Sequence, residues 1–378
     1  MIYLTLNISY KIIMSLGVYI HIPFCAAKCR YCDFNSHISD YSERKLYVSA
    51  LCDEIRNFKN DDMQVDTIYF GGGTPTILEP SQLAQILNAV YDTFDVDKTC
   101  EITTECNPAT IDKNGLETLR LTGFNRISIG MQSANDDELK FLGRIHSFAE
   151  CEKCVKDARE AGFENLSVDL MFGLPHQTVE TWKTTLRKAV ALSPNHISCY
   201  GLKIEEGTPF YSMNLDVDEE LSRDMYDICD GFLYKNGYKM YEISNFAKSG
   251  GESRHNIKYW KCNDYIGFGA GAYSCVNGVR FSNVRDTNDY INREVKVIET
   301  AEQSEFDKIS EYIFLGLRMV DGIDISEFND RFGKSVYEFF GEQIEKNINR
   351  GTMIIRNDRL IIPKKYLYVS NAILVDFV

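Results

Sequence analysis

Short apolar runs bounded by turn residues alternate along the chain with longer stretches whose apolar positions recur every three or four residues. Gly17–Ile22, Val65–Phe70, Cys100–Glu105, Asn125–Gly130, Asn165–Leu170 and His196–Tyr200 predict six short, apolar strands of the buried parallel kind. Tyr41–Phe58, Pro80–Tyr91, Asn114–Leu121, Phe148–Ala161 and Val179–Leu192 predict the helices between them. Strand-then-helix repetition implies an α/β fold, a parallel sheet with helices outside, here an incomplete (β/α)6-type barrel. Ligands in such folds gather at the carboxyl ends of the strands, so polar residues that follow the strands carry the functional information.

Beyond Tyr211 the pattern changes. Asp218–Asn236 reads as an amphipathic helix and Tyr238–Ile243 as a strand, and Arg254–Ser274 is rich in aromatics and glycine. From about Glu302 a separate unit is expected, with helices at Asp307–Met319, Ile325–Phe332 and Ser335–Arg350. A hairpin at Thr352–Ile362 follows, turning at Asn357-Asp358. Three helices and a hairpin give a small α+β, winged-helix-like order. The expected organisation is an extension over 1–14, a partial barrel over 15–215, a barrel extension over 216–300 and the small domain over 301–378.

Composition narrows the class. The chain has 378 residues and a formal net charge of −14, a surface that disfavours nucleic acid. No run of about 20 apolar residues predicts a membrane span, while peripheral membrane contact stays open. Met1–Met14 lacks the build of a signal peptide, and Met14, just before the first strand, is a second candidate start. Twelve cysteines scattered through an enzyme-like composition fit a reducing, cytoplasmic setting better than a disulfide framework.

One group of cysteines is tightly spaced: Cys25, Cys29 and Cys32, directly after the first predicted strand. Three thiolates on one short loop can hold a [4Fe–4S] cluster and leave one iron open to another ligand; the alternative is three thiols of a folded loop. Gly71-Gly72-Gly73-Thr74-Pro75 follows the second strand, where glycines let backbone approach a ligand, or simply make a tight turn. Glu105, Gln132 and Asp169 end or follow strands three, four and five, and Arg144 lies shortly beyond Gln132. Each, taken singly, reads better as a solvated or salt-bridged surface residue. His255, within Arg254-His255-Asn256-Ile257-Lys258-Tyr259-Trp260, has the chemistry of a haem ligand and equally of a core histidine. Cys151 and Cys154 fall within a predicted helix and read as core thiols, as do Cys262 and Cys275. His21, His146, His176 and His196 show no metal-ligand spacing, and Met171 and Phe172 read as core at the mouth of the sheet.

The cysteine motif, with Tyr31 just before its last member, resembles the signature of the radical SAM superfamily. That resemblance implies a [4Fe–4S] cluster on Cys25, Cys29 and Cys32 and S-adenosylmethionine on its open iron, cleaved by one electron to a 5′-deoxyadenosyl radical. Gly72, Gly73 and Thr74 then match the loop that binds the methionine amino group. Tyr19, Glu105, Gln132, Arg144 and Asp169 match residues that hold S-adenosylmethionine in the oxygen-independent coproporphyrinogen III oxidases, a family this chain resembles from about Leu16 to Phe377. Within it the closest branch is the HemW heme chaperones. Phe34 stands where the oxidases carry a fourth cysteine, His255 to Trp260 match that branch's H-N-x-x-Y-W motif, and Leu315–Arg318 and Asp321–Asp324 match its small C-terminal domain.

The resemblance implies a protein that binds haem, carries the cluster and S-adenosylmethionine, and delivers haem to acceptor proteins. A second reading is oxidative decarboxylation of coproporphyrinogen III propionates; Phe34 and the shortage of clustered cations for the substrate carboxylates weigh against it. A radical enzyme acting on RNA ranks last, given the acidic balance.

Overall fold

The computed structural model describes residues 15–58, 63–292, 298–299 and 303–378; the leader Met1–Met14 lies outside them. Six strands follow one another in chain order. They are β1 (Ser15–Ile22), β2 (Gln64–Gly72), β3 (Asp95–Cys106), β4 (Arg126–Gln132), β5 (Asn165–Phe172) and β6 (His196–Gly201). Each pairs in parallel with the next. The helices α1 (Tyr41–Asn57), α2 (Pro80–Thr93), α3 (Lys113–Thr122), α4 (Asp136–Leu142), α5 (Phe148–Glu160) and α6 (Val179–Ala191) lie between them. Helix α4 has no counterpart in the periodicity reading. It is 7 residues long, too short for an apolar stripe. Its Asn135 N-cap and its acidic first turn, Asp136, Asp137 and Glu138, were the available signal.

The strands differ from the expected apolar type. On β1, Leu16, Val18, Ile20 and Ile22 are buried against the helices, while Gly17, Tyr19 and His21 alternate with them. On β4 the apolar set is Ile127, Ile129 and Met131, alternating with Arg126, Ser128 and Gly130; on β6 Ile197 and Cys199 alternate with His196, Ser198 and Tyr200. The pleat therefore separates an apolar outer face from a polar lumen, as in a barrel whose interior takes a ligand.

The barrel stays open. Beyond β6 the sheet adds β7 (Lys239–Met240) and β8 (Asn245–Ala247), antiparallel. Beyond β1 it adds β9 (Tyr265–Phe268) in parallel, then β10 (Tyr273–Val276), β11 (Val279–Ser282) and β12 (Ile298–Glu299). The strand expected over Tyr238–Ile243 shrinks to β7. Tyr241 leaves the sheet to accept from Val320 N at 3.0 Å, and Glu242 bridges to Met319.

Helix α7 (Glu219–Lys235) covers β6, and α8 (Arg254–Trp260) lies at the amino ends of β1 and β2, where the Lys258 ammonium pairs with Asp66 at 2.7 Å. The helices α9 (Thr287–Asn292), α10 (Glu305–Gly316), α11 (Ile325–Phe332) and α12 (Val336–Asn349) follow. The last three pack with a small antiparallel sheet of Ile323–Asp324, Ile354–Arg356 and Arg359–Ile361, in the helix and hairpin order the sequence predicts. Its turn residues Asn357 and Asp358 have φ of 52° and 58°, the left-handed pair of a two-residue hairpin turn. Cys151 and Cys154 are buried in the core, as expected. No helix among the described residues is long and apolar enough to cross a membrane.

Candidate functional site

A cavity of about 390 Å³ opens at the carboxyl ends of the barrel strands, within the usual size range of small-molecule sites. Cys25, Cys29, Cys32, Tyr31, Gly72, Gly73, Thr74, Glu105, Gln132, Arg144 and Asp169 all line it. Eleven positions chosen for following strands or for motif spacing thus meet on one wall system. Tyr19 and His255 lie outside its lining.

The cysteine loop is held from both sides. The Lys28 ammonium donates to the carbonyls of Phe34 (2.7 Å) and Ser36 (2.8 Å), closing the loop on itself. His21 donates through Nε2 to the Asn35 carbonyl at 2.9 Å while its Nδ1 accepts from the Tyr19 hydroxyl at 3.0 Å. The Asn35 side chain reaches on to the carbonyls of Ala270 (3.1 Å) and Arg285 (3.0 Å). On the other flank Tyr31 packs against Leu142, Met171, Leu174, Leu202 and Phe210, a small second core under the loop. Burial pushes the Tyr31 phenol well above its ordinary range.

The three thiols meet donors suited to thiolates. The Thr74 hydroxyl donates to Cys25 Sγ at 3.7 Å, and Arg144 Nη1 to Cys29 Sγ at 3.6 Å. Burial raises the Cys32 thiol, and its neighbours Cys29 and Cys25 raise it further. Three thiols within electrostatic reach of one another, two of them with a hydroxyl or cationic donor on the sulfur, form a donor set that fits a sulfide-bridged cluster. Among the described residues no three His, Cys, Asp or Glu side chains converge as ligands of a single ion.

The glycine loop presses on this assembly. A Cβ at Gly73 would lie 2.5 Å from the Phe24 carbonyl oxygen, and one at Gly72 (φ +112°) 2.6 Å from the His21 ring. Backbone thus approaches the cysteine loop closer than a side chain permits.

Across the cavity sit two half-buried acids. Burial raises the Glu105 carboxyl to about 7, against a 2.9 Å hydrogen bond from the Tyr69 hydroxyl. Burial also raises Asp169, whose oxygens accept from Ser198 (2.7 Å) and Ser128 (3.2 Å to each). Gln132 has φ +62°, next to a register shift between Gly130 and Gln132. A left-handed non-glycine residue beside a bulge is backbone strain placed at the cavity wall. Arg144 is fixed by donation from Nη2 to the Gly130 carbonyl at 2.8 Å.

His255 lies at the amino ends of the strands, opposite the cavity mouth, and is 1% exposed. Its Nδ1 is 2.9 Å from the Thr67 hydroxyl and its Nε2 2.8 Å from the Tyr259 hydroxyl. Burial, then Lys258, lowers its pKa to about 3, so the imidazole is neutral with one nitrogen donating and one accepting. Tyr69 and Tyr19 stack on its ring, at 5.2 and 6.4 Å between centroids. Both nitrogens that an axial ligand would use are therefore engaged.

Residues not singled out from the sequence also line the cavity, notably Tyr69, Arg126, Ser128, Ser198 and Tyr200. The signal that could have found them is period-two polarity on β2, β4 and β6. Phe34 stands at the rim, 64% exposed.

Comparison with known proteins agrees with this geometry. Residues 19–189 match the model of the radical SAM superfamily, and residues 303–365 that of the HemN C-terminal domain. The heme chaperone HemW of Lactococcus lactis is 34% identical over 96% of this chain and 97% of its own length. That of Bacillus subtilis is 36% identical, over 89% of this chain and 92% of its own. The coproporphyrinogen III oxidase HemN of Escherichia coli superposes with a TM-score of 0.83, covering 96% of this chain and 90% of that chain at 22% identity, which establishes a shared fold. The partial barrel is thus a radical SAM barrel, and the chain belongs to the HemN/HemW branch of the radical SAM superfamily.

Proposed function

We propose that this protein is a cytoplasmic haem chaperone: it binds haem, carries a [4Fe–4S] cluster and S-adenosylmethionine, and passes haem to acceptor proteins. The observation that carries the chaperone reading over the oxidase reading is Phe34, a bare aromatic at the rim where the oxidases are expected to have cysteine. The near full-length likeness to proteins named heme chaperones supports it.

In this reading Cys25, Cys29 and Cys32 hold the cluster, with Thr74 and Arg144 stabilising the thiolate charge. Gly72 and Gly73 offer backbone to the methionine end of S-adenosylmethionine, Arg144 its positive charge, and Glu105, Gln132 and Asp169 their oxygens and amide to the nucleoside. Tyr19 acts from behind the wall, through His21 and the loop that His21 anchors. When bound, the cluster and the nucleoside cofactor supply one-electron chemistry. The polar lumen orients the cofactor, and Tyr31 with its small core keeps water from the loop. Haem ligation by His255 requires the Thr67 and Tyr259 bonds to be exchanged and α8 to move outward.

The test is anaerobic reconstitution of the cluster, followed by incubation with S-adenosylmethionine, reductant and coproporphyrinogen III. Porphyrin products are separated by chromatography, with a parallel haem titration of wild type and His255→Ala. Saturable haem binding without protoporphyrinogen is the expected result. Turnover to protoporphyrinogen would restore the oxidase reading and remove Phe34 as the discriminator.

A further inference from the structure

The floor of the cavity holds a cation that no carboxylate among the described residues contacts by a hydrogen bond or ion pair. Arg126 opens β4, lines the cavity and is 2% exposed. Its Nε is buried without a partner. Its guanidinium makes no side-chain hydrogen bond or ion pair with any described residue. A buried charge in that state is costly, and its neighbourhood normally supplies a carboxylate.

Carboxylates are near, but they are committed elsewhere. Asp169 feels the charge of Arg126, yet its oxygens are taken by the Ser128 and Ser198 hydroxyls. Glu105 feels it too, yet accepts from the Tyr69 hydroxyl and the Gly72 amide. Serines and a tyrosine thus hold the acids back and leave the guanidinium fork free. A planar fork of N–H donors in a desolvated pocket matches a carboxylate, which it can grip through two parallel bonds.

We propose that Arg126 is the anchor for a ligand carboxylate at the base of the cavity, and that this carboxylate is a propionate arm of a tetrapyrrole. The identity of the ligand rests on the haem-handling reading above. Arg144, which already lies against Cys29 and the Gly130 carbonyl, is the cation beside the cysteine loop, so Arg126 is left for a second anionic group. Only the arm needs to reach the floor. The rings of Tyr69 and Tyr200 on the walls offer flat faces beside its path.

The experiment uses the full-length protein with its cluster reconstituted. Haem and haem dimethyl ester, whose propionates are capped, are titrated by visible absorption into wild type, Arg126→Gln and Arg126→Lys. S-adenosylmethionine binding is measured in parallel by equilibrium dialysis. Wild type is expected to favour the free acid over the ester by about tenfold or more, the scale of a charge-assisted hydrogen bond. Arg126→Gln should lose that preference by weakening the acid form alone, Arg126→Lys should keep part of it, and S-adenosylmethionine affinity should stay the same. The comparison of acid with ester in wild type needs no variant, so a misfolded Arg126→Gln does not remove the test. Equal binding of acid and ester by wild type, or a preference retained in Arg126→Gln, would overturn the proposal and leave the haem reading standing. Loss of S-adenosylmethionine rather than haem in Arg126→Gln would also overturn it, assigning the fork to the nucleoside cofactor. Failure of wild type to bind either haem form would overturn both.

Discussion

Glu242 links stability to pH in a way that a single substitution exposes. It sits where the barrel extension meets the C-terminal helices, is 0% exposed, and has Oε1 without a hydrogen-bond partner. Burial raises its carboxyl from the ordinary 4.5 to about 7, against donation from Ser244 N and the attraction of Arg318. Folding therefore favours the protonated form. The sign follows directly: stability from this group is full below pH 4.5, falls as the pH rises, and is lost once the pH has passed through about 7. At 1.36 kcal/mol for each tenfold change in proton affinity, the ionised form costs about 3 kcal/mol. Glu242→Gln keeps the shape and removes the ionisation. It should be more stable than wild type at pH 8 by about 1–3 kcal/mol, allowing for the amide left without an acceptor, with the advantage shrinking towards pH 5. Denaturant unfolding of the cluster-free, reduced protein at several pH values measures this. An equal or lower stability of Glu242→Gln at pH 8, or a difference that does not vary with pH, would refute the reasoning.

Other perturbations test the site and its support. Gly73→Ala should empty the protein of iron, because its Cβ meets the backbone of Phe24, at 2.5 Å, rather than a side chain that can step aside; iron and sulfide analysis after reconstitution decides it. Cys32→Ser should lose most bound iron while Cys151→Ser, on the buried face of α5, should retain it, as read by the same analysis. Trp182→Ala removes a fully buried ring whose Nε1 donates to the Met225 carbonyl at 2.9 Å. It should destabilise the chain by about 3–5 kcal/mol in denaturant unfolding. Asp169→Asn should weaken S-adenosylmethionine in equilibrium dialysis by about tenfold, the worth of a hydrogen bond to a charged group, with the fold intact by circular dichroism.

Strand and helix order was legible because each element carried its own local signal. The outer faces of β1, β4 and β5 meet helices and so must be apolar, and the six strands stand where the runs Gly17–Ile22 through His196–Tyr200 place them. What the runs concealed was the lumen. Tyr19, Ser128 and His196 are buried, or nearly so, and polar, and a reading that seeks apolar density counts them as noise. Motif spacing found the cysteine loop and the strand-end residues, since those depend on short stretches of chain. It missed Arg126 and Ser198, whose importance arises only when β4 and β6 flank β5 and bring them beside Asp169. His255 shows the opposite failure. Its motif is local and conspicuous, but its partners Thr67 and Glu101 come from strands more than a hundred residues earlier, and only the packed barrel reveals that the ring is enclosed.

The same lumen explains why site and stability are coupled here. An apolar barrel interior would be cheap to bury but would give the cavity no means of orienting a charged cofactor. This interior instead buries Arg126, half-buries Glu105 and Asp169, and holds the two acids with hydroxyls from Tyr69, Ser128 and Ser198. Neutral donors soften the desolvation of an acid without consuming the nearby cation, so acids and cation both remain available to an incoming molecule. The cost appears as carboxyls such as Glu105, titrating near 7, where an ordinary one would stay ionised. A bound ligand that donates hydrogen bonds to these acids should therefore raise stability most strongly above neutral pH, where Glu105 is ionised.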